Sequence, residues 1–136
     1  MLVHRTDIRV RYADTDQMKF VYNGKYFEYF EVGRTEMMRE KGLPYSSIEK
    51  RGYRMPVREA FLKFKNPAFY DELLEVETKV EKLPELKVHI DHIIRSKERN
   101  VVIVEGYIEL IFIDKKSGKP VRPPEFFVHA IKPYFE

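Results

Sequence analysis

From Gly24 to Lys41 the chain carries no proline, and Tyr26, Phe30, Gly33 and Met37 recur at the three- and four-residue spacing that puts them on one helical face. Phe27, Tyr29 and Met38 widen that face into an aromatic stripe too broad for a helix resting on a surface. Such a helix must be wrapped, and the residues C-terminal to it are suited to wrapping. Beyond Arg54 the hydrophobic period changes from helical to alternating and stays so for most of the remaining chain. Gly33 costs roughly 1 kcal/mol in a helix interior, so its presence predicts a backbone packed too close to its neighbour for a side chain.

The spacing predicts a first strand over Asp7 to Tyr12, with Ile8, Val10 and Tyr12 alternating against Arg9 and Arg11. Asn23 is positioned to cap the long helix, and Gly42 followed by Pro44 ends it. Leu43 to Tyr53 is a loop with one helical turn around Ser46 to Lys50. Four strands come next: Val57 to Phe64 with Ala60, Leu62 and Phe64 on one face; Tyr70 onward with Leu74, Val76, Thr78 and Val80; Leu86 to Ser96; and Val101 to Ile113. Pro120, Pro123 and Pro124 interrupt any further strand, and Glu125 to Ile131 predicts a short closing helix. One strand, one long helix and four strands in antiparallel succession make an α+β arrangement, one curved sheet around one central helix.

At 136 residues the chain is one domain, 1–136, large enough to bury about two thirds of its unfolded surface. Its 25 basic and 22 acidic residues leave a net charge of only +3, with no basic stripe, which argues against a nucleic-acid binder. Without cysteine there is no disulfide, no thiolate nucleophile and no Cys-ligated metal. Met1 to Arg11 lacks the apolar core of a signal peptide, and no apolar run is long enough for a membrane span, so a cytoplasmic protein is expected.

The acidic loop Asp14-Thr15-Asp16 feeds the N-terminus of the helix. Such a terminus presents unpaired N–H groups and a partial positive charge, a site for an anion or a developing oxyanion. One carboxylate and one set of backbone donors facing a single carbonyl is what acyl transfer requires. The commonest task of a loop Asp is to shape an Asx turn, and residues alone leave that reading open for both aspartates. A metal is not indicated: hard cations want more oxygens than the pair offers. Of His89, Asp91 and His92, the first two point one way on a strand and His92 the other. Glu31 and Arg34 read as helix-surface charges or a structural pair.

Tyr12-Ala13-Asp14-Thr15-Asp16, then Val21-Tyr22, Tyr26, Tyr29-Phe30-Glu31 and Gly33-Arg34, resemble the opening of the hotdog-fold acyl-CoA thioesterases of the 4-hydroxybenzoyl-CoA thioesterase type. The nearest likeness is to the bacterial enzymes found alongside the Tol-Pal system, and Pro56-Val57, Pro67-Ala68 and Tyr70-Asp71 continue it. The resemblance implies a hotdog fold and a homodimer as the minimal unit, with active sites at the subunit interface and a homotetramer as the assembly. It implies Asp16 as catalytic general base or nucleophile, and backbone N–H groups around Tyr22, Asn23 and Gly24 as the oxyanion site. The substrate would be an acyl-CoA, coenzyme A entering only as part of it, with no further cofactor. Those relatives usually carry histidine where this chain has Asn23. The competing expectation is a hotdog protein that binds acyl-CoA or an acyl carrier without hydrolysis. A hotdog dehydratase is disfavoured because its Asp-x-Asn-Pro-x-x-x-His pattern is missing.

Overall fold

The computed structural model describes residues 1–136. Its long helix, α1 (Lys25–Glu40), lies on a five-stranded antiparallel sheet built from β1 (Leu2–Arg9), β3 (Val57–Phe64), β4 (Leu73–Val80), β5 (Val88–Ser96) and β6 (Val102–Leu110), in the order β1-β4-β5-β6-β3. A short helix α2 (Tyr45–Lys50) leads into β2 (Tyr53–Arg54), which pairs with β7 (Phe112–Asp114), and β7 pairs in turn with β8 (Pro120–Val121). Helix α3 (Glu125–Ile131) and a 3-10 turn (Lys132–Phe135) close the chain. The α+β arrangement expected from the period change is the one found, and it is the hotdog fold that the family resemblance implies.

The helix sits on the sheet because its residues allow a close approach. A Cβ at Gly33 would stand 2.6 Å from Thr78 Oγ1 and 2.7 Å from Val76 Cγ1. Phe30, fully buried, stacks on His92 of β5 with ring centroids 4.4 Å apart, and its ring edge fills the space over Gly106 of β6. At Gly106 any side chain would collide with the carbonyl of Phe61 on the neighbouring strand. Leu74, Val76, Thr78 and Val80 of β4, and Val88, Ile90, His92 and Ile94 of β5, supply the rest of the inner face.

Several expectations are corrected. β1 begins earlier than the alternation suggested and ends at Arg9, because all eight of its residues pair with β4, from Leu2↔Val80 to Arg9↔Leu73. Tyr12 therefore leaves the sheet for a 3-10 turn, Tyr12–Asp14, and stands 78% exposed. β3 is an edge strand, so Phe64 is 52% exposed and Leu62 only half-buried. The run Val101 to Ile113 is broken at Ile111, whose N–H donates to the Pro56 carbonyl at 3.2 Å, and this turns β7 away into the small sheet. Pro120 does enter a strand, at its first position, where a missing N–H is tolerated.

Asn23 is exposed and does not cap α1; the cap position belongs to Gly24, and no side chain bonds the terminal amides. Gly42 ends the helix in the left-handed region, φ 75°.

The core holds one costly group. His92 is buried, its Nδ1 within 3.2 Å of Thr78 Oγ1 and its Nε2 without a partner. Burial, with the nearby Arg34 charge, pushes its pKa down from 6.5 to about 3. The folded protein thus holds His92 neutral, whereas the unfolded chain protonates it below about pH 6.5. Folding stability should fall by up to about 1.4 kcal/mol per pH unit from this group as pH drops from 6.5 toward 3. Urea unfolding at pH 8, 6 and 5 should show that slope, and His92→Gln should flatten it. Gly33→Ala should lower the unfolding midpoint despite alanine's better helix propensity, since overpacking against two β-branched side chains costs about 1–3 kcal/mol against a gain of about 1 kcal/mol.

Candidate functional site

The acidic loop is a closed hairpin whose base is a backbone bond, Tyr22 N–H to the Asp14 carbonyl at 3.0 Å. Thr15 and Val21 bridge across it, and Asp16 N–H donates to the Phe20 carbonyl at 3.0 Å. The turn closes with Lys19 N–H on the Asp16 carbonyl at 2.9 Å, which forces Lys19 to φ 70°. A non-glycine residue is strained there, by roughly 1–2 kcal/mol.

Asp14 is the buried member of the pair. Its Oδ2 accepts the Tyr29 hydroxyl at 2.7 Å and the Arg11 N–H at 3.2 Å, while its Oδ1 takes the Arg11 guanidinium at 3.1 Å, with Lys25 Nζ at 3.8 Å. Burial alone would raise its pKa; the hydrogen bonds from Tyr29 and Arg11 outweigh it and hold Asp14 below the ordinary carboxylate range. Burial, and then the bond to Asp14, push the Tyr29 phenol up, so its proton stays in place. Asp14 is thus a latch tying the hairpin to the first turn of α1.

Asp16 is half-buried, and its Oδ1 accepts the Met18 N–H at 2.8 Å, an Asx turn. Its Oδ2 bonds to no protein group, and no cation pairs with it. At the end of the hairpin the Tyr22 amide is consumed by Asp14, so it is not the free donor expected from the sequence. The amides of Asn23 and Gly24 donate to no protein acceptor. Gly24 lies under the exposed Tyr22 ring, where an added Cβ would come within 3.0 Å of Tyr22 Cε1. A cleft of about 180 Å³ opens beside the helix tip, lined by Phe20, Asn23, Tyr26, Phe64, Lys65 and Asn66 among others; Asp16 is not part of its wall. Tyr26, packed at 6.0 Å from Phe64, has its phenol pushed up to about 12 by burial and stays neutral.

What holds the hairpin against the sheet was not visible in the residue pattern. Val21 N–H donates to the Ala68 carbonyl at 2.9 Å, and Phe20 bridges Phe69. Residues 66–72 are in turn anchored by buried Glu72, which takes Ser96 Oγ, Arg99 Nε at 2.7 Å and the Phe69 N–H at 2.9 Å, while Arg99 also reaches the Pro67 carbonyl at 2.7 Å. Burial works against the charge on Glu72, but the bonds from Arg99, Ser96 and Phe69 keep its pKa below the ordinary range. A signal existed only in retrospect, as a lone Glu after Tyr70-Asp71.

Of the strand histidines, His89 sits on the outer face with Glu109 at 2.8 Å and Asp91 at 3.1 Å, while His92 faces the core. They do not converge. Arg34 departs from its expected role as a surface charge: it forms neither an ion pair nor a hydrogen bond, and its Nη1 is buried without a partner.

Comparison with known proteins matches residues 10–131 to the family described as the thioesterase-like superfamily. YneP of Bacillus subtilis, named as a candidate acyl-CoA thioesterase, is 35% identical over 122 residues, 90% of this chain and 88% of that one. The acyl-CoA thioester hydrolase YbgC of Escherichia coli is 27% identical over 128 residues, 94% and 95% of the two chains. Among solved structures, a DHNA-CoA thioesterase from Staphylococcus aureus superposes with a TM-score of 0.87 at 32% identity, covering all of this chain and 97% of the other. With nine-tenths of its length matched and the fold shared, the chain belongs to the thioesterase-like superfamily.

Proposed function

We propose that the chain hydrolyses acyl-CoA thioesters at the hairpin and the tip of α1. The observation that carries this is a carboxylate oxygen without a partner, on Asp16, in the same closed hairpin that ends in two unspent amides, those of Asn23 and Gly24. The thioester carbonyl would accept from those amides, whose alignment with the helix dipole favours the negative charge of the tetrahedral intermediate. Asp16 Oδ2 would take a proton from the attacking water or attack the carbonyl itself, passing through a mixed anhydride. The activities for which YbgC and the Staphylococcus aureus enzyme are named support the same reaction. The finer placement, near the Tol-Pal-associated enzymes of the 4-hydroxybenzoyl-CoA type, belongs to this proposal and rests on the motif from Tyr12 to Arg34.

A homodimer joined along β3 is part of the same proposal. β3 is an edge strand with open backbone groups, and it exposes Val57, Phe61 and Phe64. An edge of that length and apolarity is one that soluble proteins cover. Pairing there would shelter the cleft beside Tyr26 and Phe64 from water.

Asp16→Asn should keep the Met18 N–H bond through its amide oxygen, leave the melting temperature nearly unchanged and cut kcat by roughly 10²–10⁴-fold. A fully active variant overturns the assignment. Single turnover in ¹⁸O water separates the two roles: label appears in the Asp16 carboxylate only if Asp16 is the nucleophile. Sedimentation should find a dimer, and Phe61→Lys should shift it toward monomer with parallel loss of activity.

A further inference from the structure

Some 10 residues along α1 from Gly24, about 15 Å at the helical rise, a second cleft opens between α1, α2 and the end of β6, with a volume of about 350 Å³. Its walls are apolar at Met38, Met55 and Leu110, with the Tyr45 ring at one side. Tyr45 is set by its hydroxyl, which accepts the Met55 N–H at 3.4 Å. Into this space α1 contributes Arg34 and the hydroxyl of Thr35. Arg34 makes no hydrogen bond or ion pair with any protein group, and its Nη1 is sealed from solvent. Glu31, one turn earlier at the mouth, is exposed and lies beyond ion-pair distance. The only other buried side-chain nitrogen without a partner is Nε2 of His92, a neighbour of the same guanidinium.

Arg34 is half-buried and no protein group supplies an oxygen to its guanidinium, which leaves it placed to take one from an anionic ligand. Its planar fork of donors matches a carboxylate edge to edge. We propose that this cleft recognises the distal carboxylate of an acyl group, so that the chain's preferred substrates are thioesters of dicarboxylic acids. The methylene chain lies against Met38, Met55 and Leu110, and Arg34 receives the far carboxylate. This rests on the thioesterase reading and names its substrate class.

The direction of β3 explains how a remote cleft serves the helix tip. Tyr26, at the start of α1, packs on Phe64 at the end of β3, while Met55, just before β3 begins, lines the Arg34 cleft. The strand therefore runs opposite to the helix. Two β3 edges joined about a two-fold axis set the Met55 end of one protomer against the Phe64 end of its partner. In the dimer proposed above, the Arg34 cleft of each protomer would then face the hairpin and helix tip of the other.

The test compares glutaryl-CoA with pentanoyl-CoA, which differ in the terminal carboxylate, in the wild type, Arg34→Met and Arg34→Lys. The wild type should favour glutaryl-CoA in kcat/KM by about 10⁴-fold, the discrimination expected when a built hydrogen-bonding site is left unfilled. Arg34→Met should reduce that ratio to near one, and Arg34→Lys should restore part of it. Equal turnover of the two esters by the wild type, or a preference that survives Arg34→Met, overturns the proposal. A second arm uses non-hydrolysable S-alkyl-CoA thioethers with and without a terminal carboxylate, with binding to the wild type measured by calorimetry; it needs no variant to fold. If the wild type hydrolyses neither ester but binds the carboxylate thioether more tightly, the carboxylate site stands and the hydrolytic reading falls. Equal binding of the two thioethers overturns the carboxylate site whatever the hydrolysis shows.

Discussion

The close seating of α1 on the sheet is the constraint on which the remainder of the structure depends. At Gly33 the helix backbone approaches Val76 and Thr78 so nearly that a methyl group would not fit, and one turn earlier Phe30 stacks flat on His92. These contacts set the height of the helix, and with it the position of both ends. The N-terminal end meets the acidic hairpin through Tyr29 and Asp14. The middle meets α2 and Met55 across the Arg34 cleft. A helix raised by an ångström would loosen both, because packed interiors transmit displacement rather than absorb it.

Polar groups are used here as fasteners between elements distant in sequence. Asp14 holds the hairpin to α1, and Glu72 with Ser96 and Arg99 holds residues 66–72, which in turn hold the hairpin through Ala68 and Phe69. Both carboxylates are kept ionised against the cost of burial by several donors each. The outcome is a division of labour between the two aspartates of one short motif. Asp14 has every oxygen engaged, and Asp16 keeps one oxygen free. The two orphan nitrogens, on Arg34 and His92, are the exceptions to this careful satisfaction, and the Arg34 charge is near enough to act on the His92 ring.

The two residues given chemical roles by proposal, Asp16 and Arg34, differ in what the sequence says of them. Asp16 stands out in the sequence because its motif places an acidic pair, an aromatic and a helix at set spacings, and its Asx turn with Met18 gives it a structural role while one oxygen stays free. Nothing in the sequence says that the Tyr22 amide closes the hairpin on Asp14. Asn23 has the residue type of a cap, but the backbone turns so that Gly24 occupies that place. Arg34 gives no such signal, since a charged residue on an amphipathic helix is ordinarily solvated, and only the fold places it in a cleft with Tyr45 of α2 and Met55.

The sequence by itself determined the element types and their order. A proline-free stripe at helical spacing and long runs at period two depend on local geometry, which side-chain alternation reports directly. It also determined that Gly33 sits at a close contact, because glycine in a helix interior has a local cost that needs a reason. Only the tertiary structure decided where β1 begins, which strand lies at the edge, where the last long strand breaks at Ile111 and which polar groups remain unpartnered. Those are properties of pairs of segments far apart in the chain, and a residue's spacing along its own segment carries no information about the surface that will cover it.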